Sequence, residues 1–266
     1  MKKLWAFTFL LVFWLVPVSE TLSQRIALMG ALDQEIELLL GEMKRPKKVP
    51  IGGIDFYKGK IRGKKVVVLK AGVGKINASY STAVLVQNFD VDALIFTGVA
   101  GGLHPESLPG DMVIGDRLFQ HDFGKYDGNG FSVTTYRELT GGHQTELFIP
   151  SDPMLVSKSQ TASNQVEFNS LSGRKPSVFT GLIATGDMFV SSPDKAQWLY
   201  GEYGALAAEM EGAAVAHICR TLGIPFVVIR SCSDNANHDA RTNFEQFVGP
   251  ASVNSSRLVL SILENW

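Results

Sequence analysis

Ala93-Leu94-Ile95-Phe96-Thr97-Gly98-Val99-Ala100-Gly101-Gly102 is the stretch on which the fold turns. Its first four residues are apolar without alternation, so the strand they form needs cover on both faces. The run then ends in a glycine-rich segment. Working outward, the same order of events recurs. Ile26-Ala27-Leu28-Met29 is a short β-rich run that stops at Gly30, and Ile36, Leu39, Leu40 and Met43 follow at helical spacing behind Asp33 as the expected cap. Residues 56–60 and 65–69 read as two strands joined by a hairpin turn at Arg62-Gly63-Lys64, and residues 76–87 read as a helix. Residues 178–184 and 226–229 are further apolar strands. A helix over 205–222 precedes the second, stopped by Gly223 and Pro225. A last helix is expected over 251–263. Strands alternating with helices predict an α/β fold: a single three-layer domain with a central mixed, twisted sheet flanked by helices, ligands binding where strands end. The stretch 121–176 is richer in Gly, Ser, Thr and Asn, and long loops around the site are expected there.

Composition bounds the possibilities. With 25 basic against 26 acidic side chains in 266 residues, the formal charge is -1, and nucleic acid, which needs a concentrated positive patch, is not the expected main partner. Two cysteines, Cys219 and Cys232, are too few for a disulfide framework and are expected as free buried thiols. Lys2 and Lys3 precede an uncharged apolar run over residues 4–18, which reads as a secretory signal segment (1–23) shorter than the ~20 residues a bilayer span requires. The alternative is an uncleaved anchor. The expected folded domain is 24–266, secreted or periplasmic, with no stable membrane span once the signal is removed.

Polar chemistry gathers after the apolar strands: Gly30-Ala31-x-x-x-Glu35, Thr97-Gly98-x-Ala100-Gly101-Gly102, Thr185-Gly186-Asp187-x-Phe189 and Ser233-Asp234 each follow one, and Glu209-Met210-Glu211 sits in an otherwise apolar segment. Burying those carboxylates costs several kcal/mol unless each finds a donor or a ligand. Glu209 and Glu211 could instead be helix N-terminal acids stabilised by the dipole.

In this order and spacing the motifs resemble the 5′-methylthioadenosine/S-adenosylhomocysteine nucleosidases of the nucleoside phosphorylase superfamily, over nearly the whole chain after the signal segment. The resemblance implies a hydrolase that releases adenine from 5′-substituted adenosines, without a cofactor and as a homodimer. It implies Glu35 as general base on the attacking water and Asp234, oriented by Ser233, as the acid at purine nitrogen 7. Glu211 would bind the ribose hydroxyls and face the developing cation, with Met210 against the ribose. Phe189 would stack on adenine while the backbone at Val190 reads the base edge. Val73, Ala100 and Gly101 would wall the sugar and water site. Phe244, from this chain or a neighbouring subunit, would cover the 5′ substituent, and Arg230 would orient Glu35 and the water. On their own, Phe189 and Phe244 would more often be plain core aromatics, so their assignment rests on the resemblance.

Three departures stand out: Val99 and Leu32 occupy positions where the family often has serine and methionine, and His121-Asp122-Phe123-Gly124-Lys125-Tyr126 does not follow the usual loop. A phosphorylase would want an arginine-lined anion pocket where Glu35 stands. An AMP nucleosidase would need cations at the 5′ pocket, for which Lys125 and Arg241 are candidates. A secreted nucleoside-binding module is the reading without catalysis. The histidines His104, His121, His143, His217 and His238 have no zinc-like spacing, no metal is expected, and His217 reads as a core histidine.

Overall fold

Residues 25–135, 146–237 and 239–266 are described by the computed structural model; the expected signal segment lies outside them, as do His143 and His238. The chain opens with β1 (Arg25–Gly30), α1 (Asp33–Gly41), the antiparallel β2 (Lys44–Ile51), β3 (Ile54–Ile61) and β4 (Lys64–Lys70), and α2 (Lys75–Asn88). The long β5 (Ala93–Gly102) follows, then β6 (Met112–Gln120), the hairpin β7 (Gly124–Asp127) and β8 (Gly130–Val133), β9 (Ile149–Pro150) and α3 (Pro153–Ser163). The last third holds β10 (Val178–Thr185), α4 (Pro193–Tyr203), β11 (Ala205–Glu209), α5 (Gly212–Leu222), β12 (Phe226–Asp234) and α6 (Ala240–Glu264).

The sheet order is β11-β10-β6-β12-β5-β1-β4-β3-β2, mixed in direction, with β9 paired to β6. Alternation along the buried strands divides the core. Ala27, Met29, Val67, Leu94, Phe96 and Val228 face α2 and α5, whereas Ile26, Leu28, Val66, Ile95, Val227 and Ile229 face α1, α3 and α6. The expected three layers are therefore present. One end of the sheet also curls over, because Ala207 and Ala208 of β11 pair antiparallel with Gly102 and Gly101 of β5. Small residues on both strands permit that approach, and a third apolar cluster with Phe119, Leu182 and Leu199 fills the space beside it.

Several boundaries differ from expectation. The helix read over 205–222 is a strand followed by a helix: Gly204 (φ 68°) ends α4, β11 pairs with β10 and β5, and the helix starts only at Gly212. Alanine-rich composition suggested helix, and pairing on both sides overrode it. The last helix begins at Ala240 instead of 251 and runs through Pro250, which forfeits one N–H. Leu32, not Asp33, is the N-cap of α1. The stretch 121–176 contains a hairpin and α3 between its loops. The Arg62-Gly63 turn does close the β3–β4 hairpin, with both residues at positive φ. Cys219 and Cys232 are buried and free. No helix among the described residues is long and apolar enough to cross a membrane.

Candidate active site

Four strand ends, those of β1, β5, β10 and β12, and the β11–α5 junction open on one cavity of about 180 Å3. Glu35, Glu211 and Asp234 line it together with Val73, Ala100 and Gly101. Phe189, Val190, Met210, Ser233 and Phe244 complete the expected set in the same lining, and Arg230 alone stands behind it.

Glu35 is the third residue of α1, so its side chain turns back over the helix start. Oε2 accepts N–H bonds from Ala31 (2.5 Å) and Leu32 (2.9 Å), and Oε1 accepts one from Val99 (2.8 Å) at the end of β5. Burial raises its pKa, opposed by the Arg230 charge and the three N–H donors. A buried carboxylate held this way can take a proton from a bound water. Gly98 is required beside it, because a Cβ there would collide with Glu35 Oε1 and Arg230 Nη1.

Asp234 ends β12. Its Oδ2 accepts from Ser233 Oγ (2.9 Å) and its Oδ1 from the N–H of Ala236 (2.8 Å), while burial raises its pKa. A carboxyl so placed can hold a proton and hand it on. Glu211 accepts the Gly74 N–H at 2.7 Å and lies 3.6 Å from Arg230 Nη2. Burial and the neighbouring Glu209 charge push its pKa up to about 8.

The helix-end reading applies to Glu209 and not to Glu211. Glu209 accepts the N–H groups of Gly212 (2.8 and 3.0 Å) and Glu211 (3.2 Å) at the start of α5, the Thr185 hydroxyl, and Arg230 Nη2. Glu211 makes no cap bond and faces the cavity. Arg230 is fully buried against the Phe96 ring, 4.2 Å from its centroid, and its hydrogen bonds go to Glu209 and the Thr97 carbonyl. Arg230, expected to help orient Glu35, acts on it through its charge, while its hydrogen bonds go to Glu209 and the Thr97 carbonyl.

Phe189 and Phe244 are not core aromatics. Phe189 is 46% exposed, and the two rings meet edge to face at 5.7 Å and 81° at the cavity. Asp187, from the same motif as Phe189, turns away from the cavity and accepts the Lys75 N–H (2.7 Å) at the start of α2. The unusual loop braces that contact: Asp122 accepts from Lys75 Nζ (2.6 Å) and from the Asp187 N–H (2.8 Å). His121 packs beneath Gly186, where a Cβ would meet its ring at 2.5 Å, and burial pulls its pKa down to about 4. The sequence reading missed the Gly74 N–H and the cavity residues Leu32, Met188 and Ala208. Gly72-Val73-Gly74, two glycines straddling a residue after a strand, was the available signal for the first. Among the described residues no cluster of His, Cys, Asp and Glu is arranged to hold a metal.

Residues 25–264 match the phosphorylase superfamily. The 5′-methylthioadenosine/S-adenosylhomocysteine nucleosidase of Geobacillus thermodenitrificans is 37% identical over 240 residues, covering 90% of this chain and 96% of the relative. That of Shewanella pealeana is 34% identical over 243 residues, covering 90% and 99%. Among solved structures, the corresponding nucleosidase of Neisseria meningitidis with methylthio-immucillin-A superimposes with a TM-score of 0.79 at 34% identity, covering 91% of this chain and all of that one. The futalosine hydrolase of Helicobacter pylori reaches 0.76 at 28% identity, covering 92% and 99%. With this fold, this cavity and these relatives, the chain belongs to the 5′-methylthioadenosine/S-adenosylhomocysteine nucleosidase family of the phosphorylase superfamily.

Proposed function

We propose that the protein hydrolyses the N-glycosidic bond of 5′-substituted adenosines such as 5′-methylthioadenosine, S-adenosylhomocysteine and 5′-deoxyadenosine, releasing adenine and the free sugar. The observation that carries this reading is the convergence of Glu35, Glu211 and Asp234, three buried carboxylates from distant parts of the chain, on one small cavity with an exposed aromatic at its mouth. Asp234 gives a proton to purine nitrogen 7 as the bond to the anomeric carbon breaks, and the bonding pair leaves with adenine. Glu35 takes a proton from the water that attacks that carbon. Glu211 faces the ribose hydroxyls and, in its ionised form, places negative charge where positive charge develops. The division of labour between acid and base parallels that of glycosidases.

The rival hydrolytic and phosphorolytic readings lose support at particular residues. Phosphate would meet the Glu35 carboxylate, and the one arginine near it is already hydrogen-bonded to Glu209. Lys125 and Arg241 do not line the cavity and pair with Asp127 (2.9 Å) and Glu245 (3.3 Å), and no basic side chain among the described residues lines the cavity to mark a 5′-phosphate site. Futalosine remains in the substrate panel because a solved relative is named for it. The protein acts outside the cytoplasm as a homodimer in nucleoside catabolism; the apolar run over residues 4–18 supports the first, and the exposed side chains of Val73, at the cavity, and of Ile76 and Tyr80 on α2 support the second.

Incubating the purified protein with the panel, with and without phosphate, decides the reaction. Free sugar in both cases is expected. Sugar 1-phosphate, or no adenine from any 5′-substituted adenosine, overturns the reading.

A further inference from the structure

A near-neutral chain can still concentrate charge. Strand register sets Lys44 opposite Lys60, Lys60 opposite Lys65 and Lys65 opposite Arg25, so four cations stand side by side across β2, β3, β4 and β1. Residues paired in register share a face, and like charges directly opposite one another destabilise a sheet. Lys58 lies two residues from Lys60 on the same strand and therefore on the same face. With Arg45 it joins the row around an open cleft of about 550 Å3 whose lining contains no acidic residue. Lysine ion pairs among the described residues fall elsewhere, on Lys48, Lys70, Lys75 and Lys125. Local relief is slight: the Arg25 side chain donates to the Asp90 carbonyl and its N–H to the Asp92 carboxylate, and Lys58 Nζ lies 5.8 Å from the Phe89 ring centroid. Self-repulsion in this row is offset when an anionic surface lies along it.

The position of the row indicates which surface. Arg25 is a member of the row, and the uncharged apolar run over residues 4–18 ends seven residues before it. Seven residues reach at most about 25 Å. A domain whose apolar run enters a bilayer therefore keeps this face within that distance of the headgroups. The geometry points to a second binding surface: the cationic row of β1–β4 docks on anionic lipid headgroups and holds the folded domain against the membrane. Cations in register across neighbouring strands present a continuous positive row to headgroup phosphates, and each basic side chain near such a surface raises partitioning about five-fold.

The test uses the full chain and vesicles of phosphatidylcholine with and without phosphatidylglycerol. Insertion of the apolar run contributes to both, so the difference between them reports headgroup charge. Binding is expected to rise with phosphatidylglycerol and to lose that increment in high salt. Lys60→Glu, in the middle of the row, should cut the increment about twenty-fold, since it changes two units of charge. The same variant should unfold at an equal or higher temperature, because it replaces two repulsive cross-strand pairs by two attractive ones. Equal binding to both vesicle types, an increment unchanged in Lys60→Glu, or tighter binding to duplex DNA than to the anionic vesicles at matched phosphate overturns the proposal.

Discussion

Each of the three cavity acids is held in a different way, and the differences set what its replacement does. Glu35→Gln keeps the shape and the contact area but cannot take a proton, so ligand affinity should persist while turnover falls steeply. Asp234→Asn removes the proton donor and should slow turnover by about 10²–10⁴-fold. Steady-state rates alongside binding of a non-hydrolysable analogue separate the two effects, and unchanged turnover in either variant removes that residue from the scheme. Glu211 makes a stability prediction. Its pKa is raised to about 8 in the folded protein from 4.5, so the folded state holds its proton more tightly than the unfolded one. The resulting stability is fully present below pH 4.5 and is lost as pH rises through 8. Glu211→Gln, which does not titrate, should therefore gain on the wild type as pH rises from about 4.5 to about 8, read as the difference in unfolding midpoint at pH 5 and pH 9.

At the scale of elements, the β11–α5 junction joins the active site to the core. Glu209 gathers donors from Thr185 of β10, from the first turn of α5 and from Arg230 of β12, so one carboxylate ties three elements together. Glu209→Ala would remove the carboxylate to which buried Arg230 is hydrogen-bonded, leaving Glu211 at 3.6 Å as its ion-pair partner, and should destabilise the fold by about 3 kcal/mol, measurable by denaturant unfolding. Replacing Glu209 and Arg230 together by apolar residues should recover much of that loss. This junction was also the least legible part of the sequence. Ala205, Ala207 and Ala208 are better helix formers than strand formers, and only pairing partners distant in the chain make them a strand. By contrast, residues 93–96 and 226–229 declared themselves, since a continuous apolar run flanked by glycine or proline has few other uses. The proposed catalytic positions were legible because they follow such strands, whereas the residues alone left open which of Glu209 and Glu211 is a helix-end acid. Which of two nearby glutamates neutralises a buried arginine depends on backbone direction at Met210, and spacing does not encode it.

Across the whole molecule, the proposed homodimer predicts a sedimentation mass twice that of one chain, and a monomer at micromolar concentration would overturn it. The sheet supplies a fixed wall for the cavity, since β11 is bonded to β10 on one side and to β5 on the other. The massing of lysines at the other end of the sheet was invisible to net charge, because strands separated by turns bring together residues that are scattered along the chain. The hold on Glu35 is different in kind. Every donor to it is a peptide N–H, from residues 31, 32 and 99, and every amino acid except proline supplies one. At 34% identity about two side chains in three have been exchanged relative to a nucleosidase of known structure. An anchor built from the common thread of the polypeptide tolerates such exchange: leucine or methionine at 32, and valine or serine at 99, leave it equally intact. The proposed base can thus stay in place through long divergence, while the side chains around it are free to vary and to retune which nucleoside fits.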